Sequence, residues 1–148
     1  MVSSSEGNAS PRFLAKRRVE FRDTDAAGIV HFSAFFPIIE SVEHEFLRSV
    51  GISVMPDHDD ANRVTWPRVS ARCDYQGPAR FEDVLDVALY VDRIGASSVT
   101  YRFGITCHGR DVATGEIVVV CCRLTAGGQL SKAAIPEDIK KRLEGESG

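Results

Sequence analysis

The sequence predicts an α+β domain in which an antiparallel sheet wraps around one long central helix. Three observations predict it. Between Phe35 and Val50 the apolar residues Phe35, Ile38, Ile39, Val42, Phe46, Leu47 and Val50 recur at spacings of three and four, the mark of a helix with one buried face. Beyond Pro67, four stretches alternate apolar and polar residues with period two, which is strand periodicity. Short turns, mostly with glycine, join these stretches, as antiparallel neighbours require.

Taken in order, residues 1–12 are mostly small and polar and read as a disordered leader. The domain is assigned to residues 13–143 and a tail to 144–148. A basic triplet, Lys16-Arg17-Arg18, precedes Val19-Glu20-Phe21, whose alternation predicts the end of a strand that delivers Asp23 and Asp25. Pro37 is tolerated only in a first helical turn, so the cap of the long helix is expected between Ser33 and Phe36, with the Ser33 hydroxyl suited to the role. Running to about Val50 before Gly51, the helix would span roughly 24 Å. Ser41, Glu43, Glu45, Arg48 and Ser49 are expected to fall mostly away from its apolar face. Residues 53–63 read as a polar loop, in which His58-Asp59-Asp60 has metal-ligand chemistry but no further ligands in pattern.

Strands follow at Val69–Tyr75, Leu85–Val91, Val99–Cys107 and Val112–Leu124, with a hairpin turn at His108-Gly109. The last strand is apolar at every position from Ile117 to Cys122, so both its faces are expected to be covered. Gly127-Gly128 reads as the end of the sheet, and a short amphipathic helix runs from Pro136 to about Leu143.

Composition narrows the class. A formal net charge of −3 with 26% charged residues gives no basic surface for nucleic acid. The longest apolar run, Ile117–Cys122, is far too short to span a membrane. The N-terminus lacks the apolar core of a secretory signal. The four cysteines form no C-x-x-C pair and read as free thiols of a reducing, cytoplasmic compartment.

Chemistry is expected just before the long helix. Asp25 lies upstream of a loop that runs into the helix N-terminus, where free N–H groups can stabilise an oxyanion. Asp23 and Asp25 equally suit the capping of a turn, so their type alone does not assign them a reaction. Glu40 and His44 lie four apart on one helix face, a spacing that fits a metal pair, an internal hydrogen bond or a pocket-facing polar patch.

The motif Phe21-x-Asp-Thr-Asp-Ala-Ala-Gly-Ile-Val-His-Phe32, the Leu47-Arg48-x-x-Gly51 helix close, Trp66-Pro67, and the segments Gly77–Asp83 and Val112–Glu116 together resemble the hotdog-fold thioesterases of the hydroxybenzoyl-coenzyme A thioesterase and YbgC-like group. The resemblance covers residues 13–143 and implies hydrolysis of an acyl-coenzyme A thioester with no metal or organic cofactor. It places the catalytic carboxylate on Asp25 and the oxyanion donors on the backbone of Phe32 and His31. It also implies supporting or substrate-binding roles for Gly28, Ile29, Glu40 and Arg93, and an edge-paired homodimer or dimer of dimers. Two departures stand out. Many YbgC-like members have an aromatic residue followed by histidine where this chain has His31 then Phe32. The hairpin that is basic in hydroxybenzoyl-type members carries only Arg93 here, so phosphate contacts fall to Arg93, Arg102, Arg80 or residues elsewhere. A thioesterase acting on acyl-carrier protein, a non-catalytic acyl-binding subunit and a hotdog dehydratase remain as alternatives.

Overall fold

Strand alternation sets the frame in the structure, a computed structural model that describes residues 10–55, 63–125 and 127–145. Five strands, β1 (Phe13–Arg18), β3 (Arg68–Tyr75), β4 (Val84–Ile94), β5 (Ser98–Cys107) and β6 (Arg110–Val120), pair antiparallel in the order β1-β4-β5-β6-β3. The inner residues Leu85, Val87, Leu89, Tyr101, Phe103 and Ile105 are buried, and the helix α1 (Phe35–Ser49) lies across them with Phe35, Ile39, Val42, Phe46 and Leu47 inward. The expected architecture, a sheet wrapped around one helix, is present. Gly115 on β6 is where the layers come closest. A Cβ there would fall 2.6 Å from Ile39 Cδ1, so any larger residue would force the buried end of Ile39 to move. The β5–β6 hairpin turns through His108 (φ 51°) and Gly109 (φ 76°), both left-handed, as a two-residue turn matched to strand twist requires.

Several sequence expectations are corrected. The first strand ends at Arg18, before Val19-Glu20-Phe21. Val19 is instead tied to the β3–β4 connection, accepting from Glu82 N–H (2.9 Å) and donating to Asp83 O (2.8 Å). Residues Phe21–Asp23 then form a 3-10 turn in which Asp23 Oδ2 accepts the Glu20 N–H at 2.9 Å. Ser33 does not cap α1. A 3-10 turn, Phe32–Ala34, runs directly into the helix, and the His31 imidazole accepts the Ser33 N–H. Glu43 does not fall away from the apolar face; it is 1% exposed.

The last strand is not continuous to Leu124. Cys121 leaves the main sheet because its N–H donates to Ser97 O (2.7 Å) and its carbonyl accepts from Ala133 N–H (2.9 Å). The chain then enters a small second sheet of β2 (Val64–Thr65), β7 (Cys122–Leu124) and β8 (Leu130–Lys132), so Gly127-Gly128 belongs to a turn and does not end the β structure. Arg12, assigned to the leader, is tied to the domain. Its N–H donates to Leu89 O, and its guanidinium donates to Arg142 O and Leu143 O at the end of α2 (Glu137–Glu144). The His58-Asp59-Asp60 string lies outside the described residues.

Candidate functional site

Backbone pairing shapes the loop between β1 and α1. Asp25 N–H donates to Ile29 O (2.9 Å), Thr24 and Val30 form an antiparallel bridge, and His31 N–H donates to Asp23 O (2.7 Å). Directly opposed residues of an antiparallel pair share a face and successive residues alternate. Val30 is buried, so its face looks into the core, and Asp25, Ile29 and His31 project the other way. Gly28 closes the bend at φ 79° and donates its N–H to Asp25 O at 2.9 Å. The left-handed backbone is what selects glycine there.

Asp25 is half-buried and anchored by one oxygen only. Oδ1 accepts the Ala27 N–H at 2.8 Å, and Oδ2 has no protein partner among the described residues. An anchored carboxylate with a free second oxygen has the form needed of a nucleophile or general base.

Of the two expected oxyanion donors, the N–H of His31 is committed to Asp23 O, whereas the N–H of Phe32 has no partner among the described residues. The His31 ring is also fixed. Its Nδ1 accepts the Ser33 N–H at 3.2 Å and lies 2.8 Å from Ser33 Oγ. A nitrogen that accepts from an N–H carries no proton of its own, which leaves the ring hydrogen on Nε2. Neighbouring segments brace the loop. Ile29 pairs with Arg80, Val30 N–H donates to Ala79 O (2.8 Å), and the Arg80 guanidinium lies over Gly28, 3.9 Å from where a Cβ would stand.

Asp25, Gly28, Ile29, His31 and Phe32 are thus brought together in one loop. Glu40 lies two helical turns further on, about 12 Å along α1. It pairs with Arg68 (Oε2 to Nη2, 2.9 Å) and makes no hydrogen bond to His44, as its spacing had suggested. Arg93 is not in this group: it sits near the far end of β4, roughly 30 Å of strand from Val84. Arg102 is engaged on the outer sheet face, stacked 4.6 Å over the Tyr90 ring and 3.6 Å from Asp92.

Two residues that the sequence reading did not single out complete the surroundings. Arg68 also grips Glu43, with Nη1 donating to Oε2 at 3.1 Å and Nη2 lying 2.9 Å from Oε1, where the angle falls short of a hydrogen bond. Burial pushes the Glu43 carboxyl above the usual carboxylate range, and the neighbouring guanidinium offsets this only in part. Arg68 moves up as well: burial lowers it, but the two carboxylates more than compensate. With Phe36, Pro37, Ala71 and Ile117 the three charged residues line a groove of about 320 Å³ that begins one turn beyond Phe32. The signal for Glu43 was available, since it stands four residues after Ile39 and three before Phe46, on the apolar stripe itself.

Known proteins resemble this chain in sequence and fold. The family model of the Thioesterase-like superfamily matches residues 19–143. An Aquifex aeolicus protein named as a candidate esterase is 32% identical over 132 residues, covering 89% of this chain and 98% of that protein. A 1,4-dihydroxy-2-naphthoyl-CoA hydrolase of Nostoc punctiforme is 30% identical over 132 residues, covering 89% and 86%. The crystal structure of a 1,4-dihydroxy-2-naphthoyl-CoA thioesterase from Synechocystis superposes with a TM-score of 0.77 at 25% identity, covering 88% of this chain and 94% of that one. The sheet-wrapped helix is therefore the hotdog fold. On the match of sequence and fold together, this chain belongs to the Thioesterase-like superfamily.

Proposed function

We propose that this chain hydrolyses an acyl-coenzyme A thioester to the free acid and coenzyme A, with Asp25 as the reacting carboxylate and the Phe32 N–H as oxyanion donor. The observation that carries the reading is the pairing of a carboxylate with one free oxygen and an unpaired N–H where the same loop enters a long helix. In the base route, Asp25 Oδ2 takes a proton from water and the resulting hydroxide adds to the thioester carbon. Negative charge then develops on the carbonyl oxygen against the Phe32 N–H, a donor already fixed in place. Collapse breaks the C–S bond and releases the thiolate of coenzyme A. In the nucleophile route, Oδ2 itself adds, the thiolate leaves, and water cleaves the mixed anhydride. Both routes use the same free oxygen.

The named relatives make hydroxylated aromatic acyl groups the first substrates to test, and the groove beside Phe36 has apolar walls and a polar end at Glu40 and Arg68. Within one protomer Arg80, beside Gly28, is nearer to the loop than Arg93 and is our preferred partner for a coenzyme A phosphate. β3 is an edge strand with Val69 and Tyr75 exposed, which supports edge pairing into a homodimer and a dimer of dimers. Four free cysteines suit a cytoplasmic setting, and no helix among the described residues is long and apolar enough to cross a membrane.

The test is thiol release from aromatic, short-chain and long-chain acyl-coenzyme A esters and from acyl-carrier protein, with wild type and Asp25→Asn. Turnover that falls at least about 100-fold in the variant supports the assignment. Turnover that survives removes Asp25 from the reaction. Activity confined to the carrier-protein donor replaces coenzyme A in the reading.

A further inference from the structure

We propose that Asp83, Cys107 and His108 form a binding site for a thiophilic divalent metal ion of the zinc type, separate from the Asp25 loop. One ligand atom of each residue lies within 4.8 Å of those of the other two. Around a tetrahedral zinc ion such atoms stand about 3.5 Å apart, given Zn–S near 2.3 Å and Zn–N near 2.0 Å. Binding would require the three side chains to rotate toward that spacing. Thiolate, imidazole and carboxylate are the mixed soft and borderline set that zinc accepts, and three protein ligands leave the fourth position to solvent.

The three residues come from two connections that the fold brings to one end of the sheet. Cys107 ends β5 with its side chain fully covered, and exposed His108 opens the tight turn that follows. Asp83 ends the Arg80–Asp83 turn just before β4, and its Oδ2 accepts the Arg80 N–H at 2.8 Å. A two-residue turn of this type is best served by asparagine or glycine at its first position, so the backbone alone does not call for histidine. The only non-glycine residues with left-handed backbone among those described are His108 and Glu82, a member of the cluster and the residue preceding another. Burial first, then the Asp83 and Asp86 carboxylates against the single guanidinium of Arg110, pushes the Cys107 thiol up, so a bound cation has to displace a firmly held proton. On binding, the Cys107 thiol gives up its proton to solvent and the S–H bond is replaced by an S–metal bond, with no change of oxidation state.

The site would tie the β5–β6 turn to the Arg80–Asp83 turn, and Arg80 pairs with Ile29 of the Asp25 loop. It is tested with cobalt(II) and zinc(II) on the full chain after treatment with a chelator. Cobalt(II) is expected to give a near-ultraviolet thiolate-to-cobalt band in wild type and in Cys73→Ser. Zinc(II) should abolish that band by competition. Cys107→Ser should lose the band, and His108→Asn should weaken binding at least about ten-fold, the scale on which even outer partners of a metal matter. Asparagine tolerates the left-handed backbone, so His108→Asn keeps the turn and tests the ligand alone. Zinc should also raise the thermal midpoint of wild type, and that of His108→Asn by less at the same zinc concentration. Absence of the band in folded wild type overturns the site, as does a band of equal strength in Cys107→Ser or unchanged affinity in His108→Asn.

Discussion

Two carboxylates, one on the loop before the long helix and one midway along it, show how differently one functional group can be employed. Asp25 is half-buried on a loop, held by one backbone donor, the Ala27 N–H, and keeps its other oxygen free among the described residues. Glu43 is almost wholly covered on α1, and both its oxygens face the Arg68 guanidinium. The first is positioned without being neutralised, so it can still accept a proton or attack carbon. The second has its charge matched at close range and is unsuited to that work. Free valence distinguishes the two more sharply than depth does.

The largest effect that separates them is expected from Asp25→Asn. Turnover should fall about 100- to 10,000-fold, while the thermal midpoint stays near that of wild type, because Asn keeps an oxygen for the Ala27 N–H. Arg68→Met should show the reverse pattern. It leaves Glu43 buried without its counter-charge, a loss of about 3–5 kcal/mol by the general behaviour of such pairs; urea unfolding would read it, and an unchanged midpoint would show that the pair contributes nothing. Gly115→Ala drives a methyl group into Ile39 and should cost about 1–3 kcal/mol, as overpacked cores do, with turnover per folded molecule preserved.

The smallest expected effect concerns pH. Burial raises the Glu43 carboxyl in the folded state, so the native protein holds that proton more tightly than the unfolded chain. The resulting stability is complete below the unfolded value, 4.5, and is lost as pH rises through the higher folded value. Glu43→Gln should flatten that part of the stability–pH curve, measured by denaturant unfolding from pH 4 upward. A slope that is the same in both proteins would assign it to other groups.

Much of this was legible in the sequence, for identifiable reasons. The helix from Phe35 and the strands through Val87, Phe103 and Val119 carry long periodic patterns, and period reports burial directly. The bend of the Asp25 loop was legible at Gly28, whose left-handed backbone favours glycine, whereas the two aspartates equally suit a turn. What failed was local. Val19-Glu20-Phe21 alternates like a strand, yet bonds to Glu82 and Asp83 end the sheet pairing before it. Glu43 was read by polarity when its position on the stripe was the better guide. Arg68 could not be linked to Glu40 and Glu43, because nothing in the order of residues reveals which strand will lie beside a helix. Arg93 was assigned a substrate-binding role by resemblance, and within one protomer the length of β4 separates it from the Asp25 loop.

The connectivity of the sheet bears on how the protein assembles. Strands β4, β5 and β6 follow one another through tight turns, whereas β1 must wait for β4, to which Phe13 pairs through Leu89, 76 residues later. Closing so long a stretch of chain is slow compared with forming a hairpin. The central meander is therefore expected to form early, with β1 and the Asp25 loop joining late. Contacts that form last commonly open first, and amide hydrogen exchange should find Asp25, Ile29 and His31 exchanging well before Tyr101 and Phe103. Mild heating would then silence the enzyme while most of its sheet is still intact.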